Sequence, residues 1–214
     1  GEPIDNGMGA TIALDGPPLD FFAVTDHGEY IGVVPSMADR GSELSKTPTA
    51  KSIFGILAKD RRENFLKIGM TVVSGEELPD IYNREFMDFV WADTVQATEA
   101  HNQPGVFTTF AGYEFTSMRQ LTDTAALNLH RNVIFEDKAP TRLFTTLDSP
   151  NPEDLWVWMD SEREAGREVL AIPHNSNASN GQMFVSSLSA EDAQLRIRNE
   201  PLVEITQVKG TSET

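Results

Sequence analysis

Cysteine is absent from this chain of 214 residues. Its absence excludes disulfide bonds, thiolate zinc sites and cysteine nucleophiles. Long apolar runs are also missing: no segment approaches the roughly 20 residues that a membrane-spanning helix needs. Residues 1–20 lack the charged and then apolar pattern of a signal peptide, which would have to lie upstream of this chain. A cytoplasmic and a periplasmic location therefore both stay open.

Basic residues are scarce. The chain has 17 Lys and Arg against 33 Asp and Glu, which gives a formal net charge of -16. Because no run of Lys or Arg offers a local basic patch, this field would repel a polyanion, and a nucleic acid is not favoured as a partner. A solvated acidic surface accounts for most of the charge, although bound divalent cations would offset part of it.

Length and pattern predict a single α/β domain over residues 1–214. A hydrophobic content of 39% fits one sizeable core. Apolar runs and helical periodicity alternate along the chain, which favours a parallel sheet or a barrel over a sandwich. The predicted strands cover 19–27, 106–115, 127–135, 169–173 and 202–208, and the predicted helices cover 47–66, 80–101, 149–166 and 189–199.

Three of the four histidines close a short strand-like segment: VTDH, LNLH (the first part of the strand over 127–135) and AIPH. They are His27, His130 and His174, and another predicted strand ends near Glu114. Strand ends converge on one face of an α/β sheet or barrel, and His and Glu side chains gathered there are suited to bind metal ions. The alternative for any lone histidine is a structural role, which is the role that we assign to His101 at the end of a helix.

The sequence pattern leaves the roles of two carboxylate positions open. Glu114 competes with Glu76 and Glu77 for the role of metal ligand, and spacing alone leaves the choice open. Asp26 precedes His27. It could orient the metal ligands by hydrogen bonding to them, or it could be a turn residue after the strand.

Two residues are candidates for contacting substrate. Asn175 follows His174 in a polar loop that could donate hydrogen bonds to an oxyanion, or that could simply be a turn. Arg131 follows His130 and could bind phosphate or sulfate only if the strand ends or bulges there. For Arg131 a structural salt bridge is the favoured alternative.

Six segments resemble those of a known family. They are FFAVTDHGEY, PGVFTTFAGYEFTS, NLHRNVIF, PEDLWVWM, AIPHNSNASNGQMF and EPLVEITQVKGTSET, in this order. Together they closely resemble a large bacterial family, the domain of unknown function 3604 family, which is related to the PHP (polymerase and histidinol phosphatase) superfamily. The resemblance implies a distorted, TIM-barrel-like β/α barrel with two or three divalent metals, Zn, Mn or Fe, at its strand ends. It also implies a metal-dependent hydrolase, most often a phosphoesterase.

The resemblance implies a role for each candidate ligand. His27 in TDH matches a metal-binding histidine after an early strand, with Asp26 as its close neighbour. Glu114 in GYE resembles the carboxylate that can bridge two metals, which favours it over Glu76 and Glu77. His130 and His174 resemble the next two histidine ligands. In the superfamily the metals lower the pKa of a bound water for attack on the substrate.

The chain also departs from the superfamily pattern. An HxH pair on the first strand and a DxH pair on the last are both missing from these 214 residues. We therefore expect a fragment of a longer protein, with an incomplete barrel and doubtful activity of its own. Two functions are expected for the parent protein: a hydrolase of small-molecule phosphoesters or related oxyanion esters, or a non-catalytic binding or scaffold domain without a competent metal centre.

Overall fold

The computed structural model describes residues 3–13, 15–122, 125–186 and 188–212. Over this part of the chain, no helix is both long enough and apolar enough to cross a membrane. The strands are β1 (Ile4–Asp5), β2 (Thr11–Ile12), β3 (Phe21–Val24), β4 (Thr108–Phe115), β5 (Met118–Thr122), β6 (Ala125–Asn128), β7 (Arg131–Phe135), β8 (Val169–Pro173), β9 (Thr206–Gln207) and β10 (Gly210–Thr211). The α-helices are α1 (Val33–Ala38), α2 (Pro48–Phe54), α3 (Arg61–Ser74), α4 (Arg84–His101), α5 (Pro152–Glu164) and α6 (Ala190–Asn199).

A four-stranded mixed sheet positions the candidate site. Its strand order is β3-β4-β7-β8. β3 and β4 are parallel, whereas β7 runs antiparallel to both β4 and β8. The carboxyl ends of β3, β4 and β8 therefore lie at the same edge as the amino end of β7.

The predicted β/α barrel is wrong. The described residues form the four-stranded sheet and three two-stranded sheets, and none of these closes on itself. The reason lies between β4 and β7, where the described residues carry the antiparallel pair β5 and β6 instead of a helix. A parallel return would need a crossover connection, so β7 comes back antiparallel. The content is mixed helix and strand, without the strict alternation that a barrel requires.

The core lies on one face of this sheet. Val133 and Phe135 of β7 are buried, while Ile134 between them is only half-buried. α4 packs on β4 and brings the Trp91 ring to within 6.1 Å of the Tyr113 ring, centroid to centroid. The Trp91 indole is satisfied as well, because Nε1 donates to the Pro140 carbonyl at 2.7 Å.

Several local predictions also need correction. A continuous apolar run such as 19–27 is typical of a strand buried on both faces. Phe21 is nevertheless 66% and Val24 51% exposed, because β3 has a neighbour on one side only among the described residues. The helix expected over 47–66 is divided into α2 and α3, since Gly55 ends α2. The last predicted strand is reduced to β9.

Candidate metal centre

One buried carboxylate gathers three imidazole rings. Glu114, near the end of β4, has Oε1 at 2.8 Å from His130 Nδ1 and at 2.7 Å from His174 Nε2. Its other oxygen, Oε2, lies 2.6 Å from His27 Nδ1. Ligand atoms of Glu114, His130 and His174 all lie within 4.8 Å of one another. Three imidazole rings thus meet at a single carboxylate.

The sheet explains why residues so distant in sequence meet. His27 extends the parallel pairing of β3 with β4 by a bridge to Glu114: Glu114 N donates to the Asp26 carbonyl at 2.8 Å, and Gly28 N donates to the Glu114 carbonyl at 2.9 Å. His130 stands immediately before β7, and His174 immediately after β8; His174 N donates to the His130 carbonyl at 3.2 Å. Each side chain therefore enters at the edge where the strand ends meet.

Gly28 allows this close approach, and replacing it should be costly. A Cβ at this position would lie 2.6 Å from Cδ2 of the Tyr113 ring, which is fully buried. We expect Gly28→Ala to lower the free energy of unfolding by about 1–3 kcal/mol, as overpacking of a core does. Chemical denaturation measures this change. Gly69→Ala is the matched control, since nothing lies within 4 Å of its Cβ inside α3, and it should not destabilise the protein. Equal unfolding midpoints for Gly28→Ala and the wild type would contradict the expectation.

Hydrogen bonds decide the charge of the cluster. Burial alone would raise the pKa of Glu114, but the hydrogen bonds from His130, His174 and His27 outweigh it and hold that pKa well below its ordinary range. The hydrogen bond to Glu114 raises the pKa of His27, whereas burial lowers the pKa of His130 despite the same carboxylate. Glu114 is therefore an anion that accepts from its histidine neighbours.

The tautomers follow from this arrangement. An ionised carboxylate only accepts hydrogen bonds, so the nitrogens that face Glu114, Nδ1 of His130 and Nε2 of His174, carry the protons. Their opposite nitrogens, Nε2 of His130 and Nδ1 of His174, are buried and have no hydrogen-bond partner among the described residues. Buried polar atoms are normally satisfied, so these two nitrogens are available to a ligand. Imidazole and carboxylate donors suit Zn, Mn and Fe. A metal that displaced the protons facing Glu114 would bring its carboxylate into the same ligand set, so the residues present fit a divalent metal.

Asp26 and Asn175 occupy different surroundings. Asp26 reaches Glu114 through its main-chain carbonyl, and its side chain is exposed. Asn175 follows His174 with a positive φ of 58° and is buried. Both polar atoms of its amide lack a partner within the described ranges, which leaves them available to a bound molecule. A ligand role for Asp26 and a substrate contact for Asn175 both stay predictions.

Arg131 belongs to a buried ion pair. Its Nε donates to Glu200 Oε1 at 2.5 Å, and a terminal nitrogen donates to the Leu129 carbonyl. Trp156 Nε1 donates to the same Glu200 oxygen at 2.8 Å. These contacts match the structural salt bridge that the sequence left as an alternative. A contact between Arg131 and substrate stays a prediction.

Two neighbours of the centre were missed by sequence reasoning. Glu29 is buried two residues after His27, and Thr116 lies just beyond β4 with its hydroxyl 2.6 Å from His27 Nδ1. The only local signal is Glu29 in the segment HGEY, and an acidic residue in a loop is by itself typical of an exposed position. Their part in the site depends on contacts between residues almost 90 positions apart, which no local pattern reveals.

Comparisons with known proteins bear on the family and not on the reaction. No curated protein and no solved structure matches the chain. A family model described as "Protein of unknown function (DUF3604)" matches residues 1–214. Because this match covers the whole sequence, the chain belongs to the DUF3604 family of proteins of unknown function.

Proposed function

We propose that the chain binds divalent metal ions at Glu114, His27, His130 and His174, and that the centre serves a metal-dependent hydrolase of small-molecule phosphoesters or related oxyanion esters. The observation that carries the proposal is the convergence of three imidazoles on one buried carboxylate. A metal held there would act as a Lewis acid and lower the pKa of a bound water. The resemblance to the PHP superfamily supports phosphoesters as the substrate class.

A purely structural cluster explains the arrangement less well. Hydrogen bonding to Glu114 satisfies one nitrogen each of His130 and His174 and leaves the other nitrogen buried without a partner in the described part of the chain. An unsatisfied buried polar atom costs about 1–3 kcal/mol, so two of them in one cluster favour a ligand-binding role. Zn, Mn and Fe all suit this donor set.

The centre is open on one side. The side chain of His27 is 64% exposed, whereas those of His130 and His174 are buried. Substrate would therefore approach from the His27 side, with the ionised Glu114 between the rings. The Asn175 amide, which has no partner in the described part of the chain, is suited to orient an oxyanion. Bound cations would also offset the net charge of -16 and make an anionic substrate acceptable.

Metal analysis of purified variants tests the metal centre. We expect His174→Ala and His27→Ala to lose metal after exchange into Zn²⁺, Mn²⁺ or Fe²⁺ and dialysis, with the larger loss for the buried His174. His101→Ala is the matched control, because the His101 ring is exposed and contacts the Ala97 carbonyl on its own helix. Elemental analysis gives the metal content per chain. An unchanged metal content per chain in both His174→Ala and His27→Ala would contradict the proposed metal centre.

A substrate panel tests the reaction. The metal-loaded protein is assayed on phosphomonoesters, phosphodiesters and sulfate esters, and we expect turnover that disappears in His174→Ala. Stoichiometric metal binding without turnover of any ester would instead favour the non-catalytic binding domain. That result would support the proposed metal centre and contradict the proposed hydrolase activity.

A further inference from the structure

We infer that Glu29 is a positioning residue of this centre: its buried carboxylate fixes Thr116, and the Thr116 hydroxyl in turn fixes the ring of His27. This inference rests on the proposed metal centre, since positioning His27 matters only if His27 binds a ligand. Its consequence is that Glu29, whose other carboxylate oxygen is buried without a partner in the described part of the chain, would control the geometry of the His27 side of the site.

The Glu29 carboxylate connects two separate loops. Glu29 is only 6% exposed, and its Oε1 accepts from Thr116 N at 3.3 Å and from Thr146 N at 3.0 Å. Thr116 directly follows β4, and Thr146 lies in the segment before α5. Both main-chain segments therefore donate to the same carboxylate oxygen, which ties the end of β4 to the segment before α5.

Thr116 passes this constraint to the histidine. Its Oγ1 lies 3.5 Å from the Glu114 carbonyl, to which it can donate, and 2.6 Å from His27 Nδ1. The Thr116 hydroxyl therefore accepts a hydrogen bond from His27 Nδ1–H, while its own proton points to the main-chain carbonyl of Glu114. Metal-binding histidines commonly have their second nitrogen held in this way, which sets both tautomer and ring orientation. With Nδ1 held in this way, Nε2 is the nitrogen of His27 that is left for a metal.

The main chain around His27 supports the same function. Gly28 is hydrogen-bonded to Glu114, so the chain on either side of the turn is anchored, with His27 before Gly28 and Glu29 after it. The ring of His27 is 64% exposed and receives little packing from its surroundings. Its orientation therefore depends on the contacts at Nδ1, made by Thr116 Oγ1 and Glu114 Oε2.

Cobalt-loaded variants test the inference, because the visible absorption of bound Co²⁺ reports the geometry of its ligands. We expect Glu29→Ala to lower Co²⁺ affinity by about 10–100-fold, the usual effect of removing a partner that orients a ligand, and to change the spectrum. Glu29→Gln keeps an acceptor oxygen for both N–H groups and should restore most of the affinity and the spectrum. Thr116→Val should behave like Glu29→Ala, and Thr116→Ser like the wild type.

Glu162→Gln controls for the loss of a buried carboxylate. Glu162 is buried in α5 and paired with Arg167 instead of with the centre, so its replacement should leave the spectrum unchanged. A folded Glu29→Ala protein with wild-type affinity and spectrum would overturn the inference while the metal centre stands. If Glu29→Ala does not fold, wild-type behaviour of Thr116→Val overturns it equally. A wild-type chain that binds no Co²⁺ would overturn both the proposed centre and this inference.

Discussion

Replacing Glu114 with glutamine is expected to lower divalent metal affinity by at least about 100-fold, more than the loss of an orienting neighbour. Glutamine has nearly the same shape but no charge, and its amide nitrogen donates hydrogen bonds instead of accepting them. In the wild type both carboxylate oxygens face histidine nitrogens. The variant would therefore lose the charge that attracts the cation and also set a donor against a donor.

Competition titration against a chelating dye measures this change, with circular dichroism to confirm that the variant folds. Glu76→Gln is the matched control: Glu76 is exposed, and spacing alone left it as a rival for the role of Glu114. We expect wild-type affinity for the Glu76 variant. Equal affinities for the two variants would show that Glu114 is not the central ligand.

The second large effect is expected in stability. Glu200→Ala should lower the free energy of unfolding by about 3–5 kcal/mol, because it leaves a buried charge without its partner. The side chain of Glu200 is 1% exposed and accepts from Arg131 and Trp156 on one oxygen, with Arg196 Nε 3.2 Å from the other. Removing it would leave the Arg131 guanidinium uncompensated inside the protein.

Urea unfolding measures the loss. The control is Asp88→Ala, since Asp88 pairs with the exposed Arg142 and exposed ion pairs contribute little. Because Arg131 is the first residue of β7 and directly follows His130, the Glu200 variant should also disturb one wall of the metal centre. A loss of unfolding free energy no greater than that of Asp88→Ala would mean that the ion pair between Arg131 and Glu200 does not stabilise the fold.

Elements with strong local signals could be predicted from the sequence. β8 occupies the predicted residues 169–173, where a short apolar run lies between Gly166 and a polar loop. α6 begins after Ser189, whose side chain accepts from Asp192 N, as the capping pattern indicates. Placing histidines and a glutamate at strand ends likewise required only the ends of apolar runs. These features depend on neighbours in sequence.

Features that depend on distant contacts could not be predicted. The direction of β7 is set by the paired strands β5 and β6. The sequence predicts no element over 118–122, where β5 lies, and it joins the end of β6 to β7 in one strand over 127–135. The exposure of β3 depends on the order of strands in the sheet, where β3 pairs only with β4 among the described residues. The roles of Glu29 and Thr116 require the turn after β3 to meet the end of β4. Local sequence contains none of this information, so it could not correct the barrel that the family resemblance implies, and these two residues were missed.

The long stretch of sequence that the centre brings together has a consequence for folding. The residues that meet at Glu114 range from His27 to His174, so the centre exists only once β3, β4, β7 and β8 have all paired. Such long loops close slowly, and the cluster would be among the last parts of the molecule to form. A cation bound there would act as a cross-link between the exposed edge strand β3 and the opposite edge strand β8. The free energy of metal binding would thus add to the free energy of folding. The wild-type chain would therefore resist unfolding most strongly with metal bound.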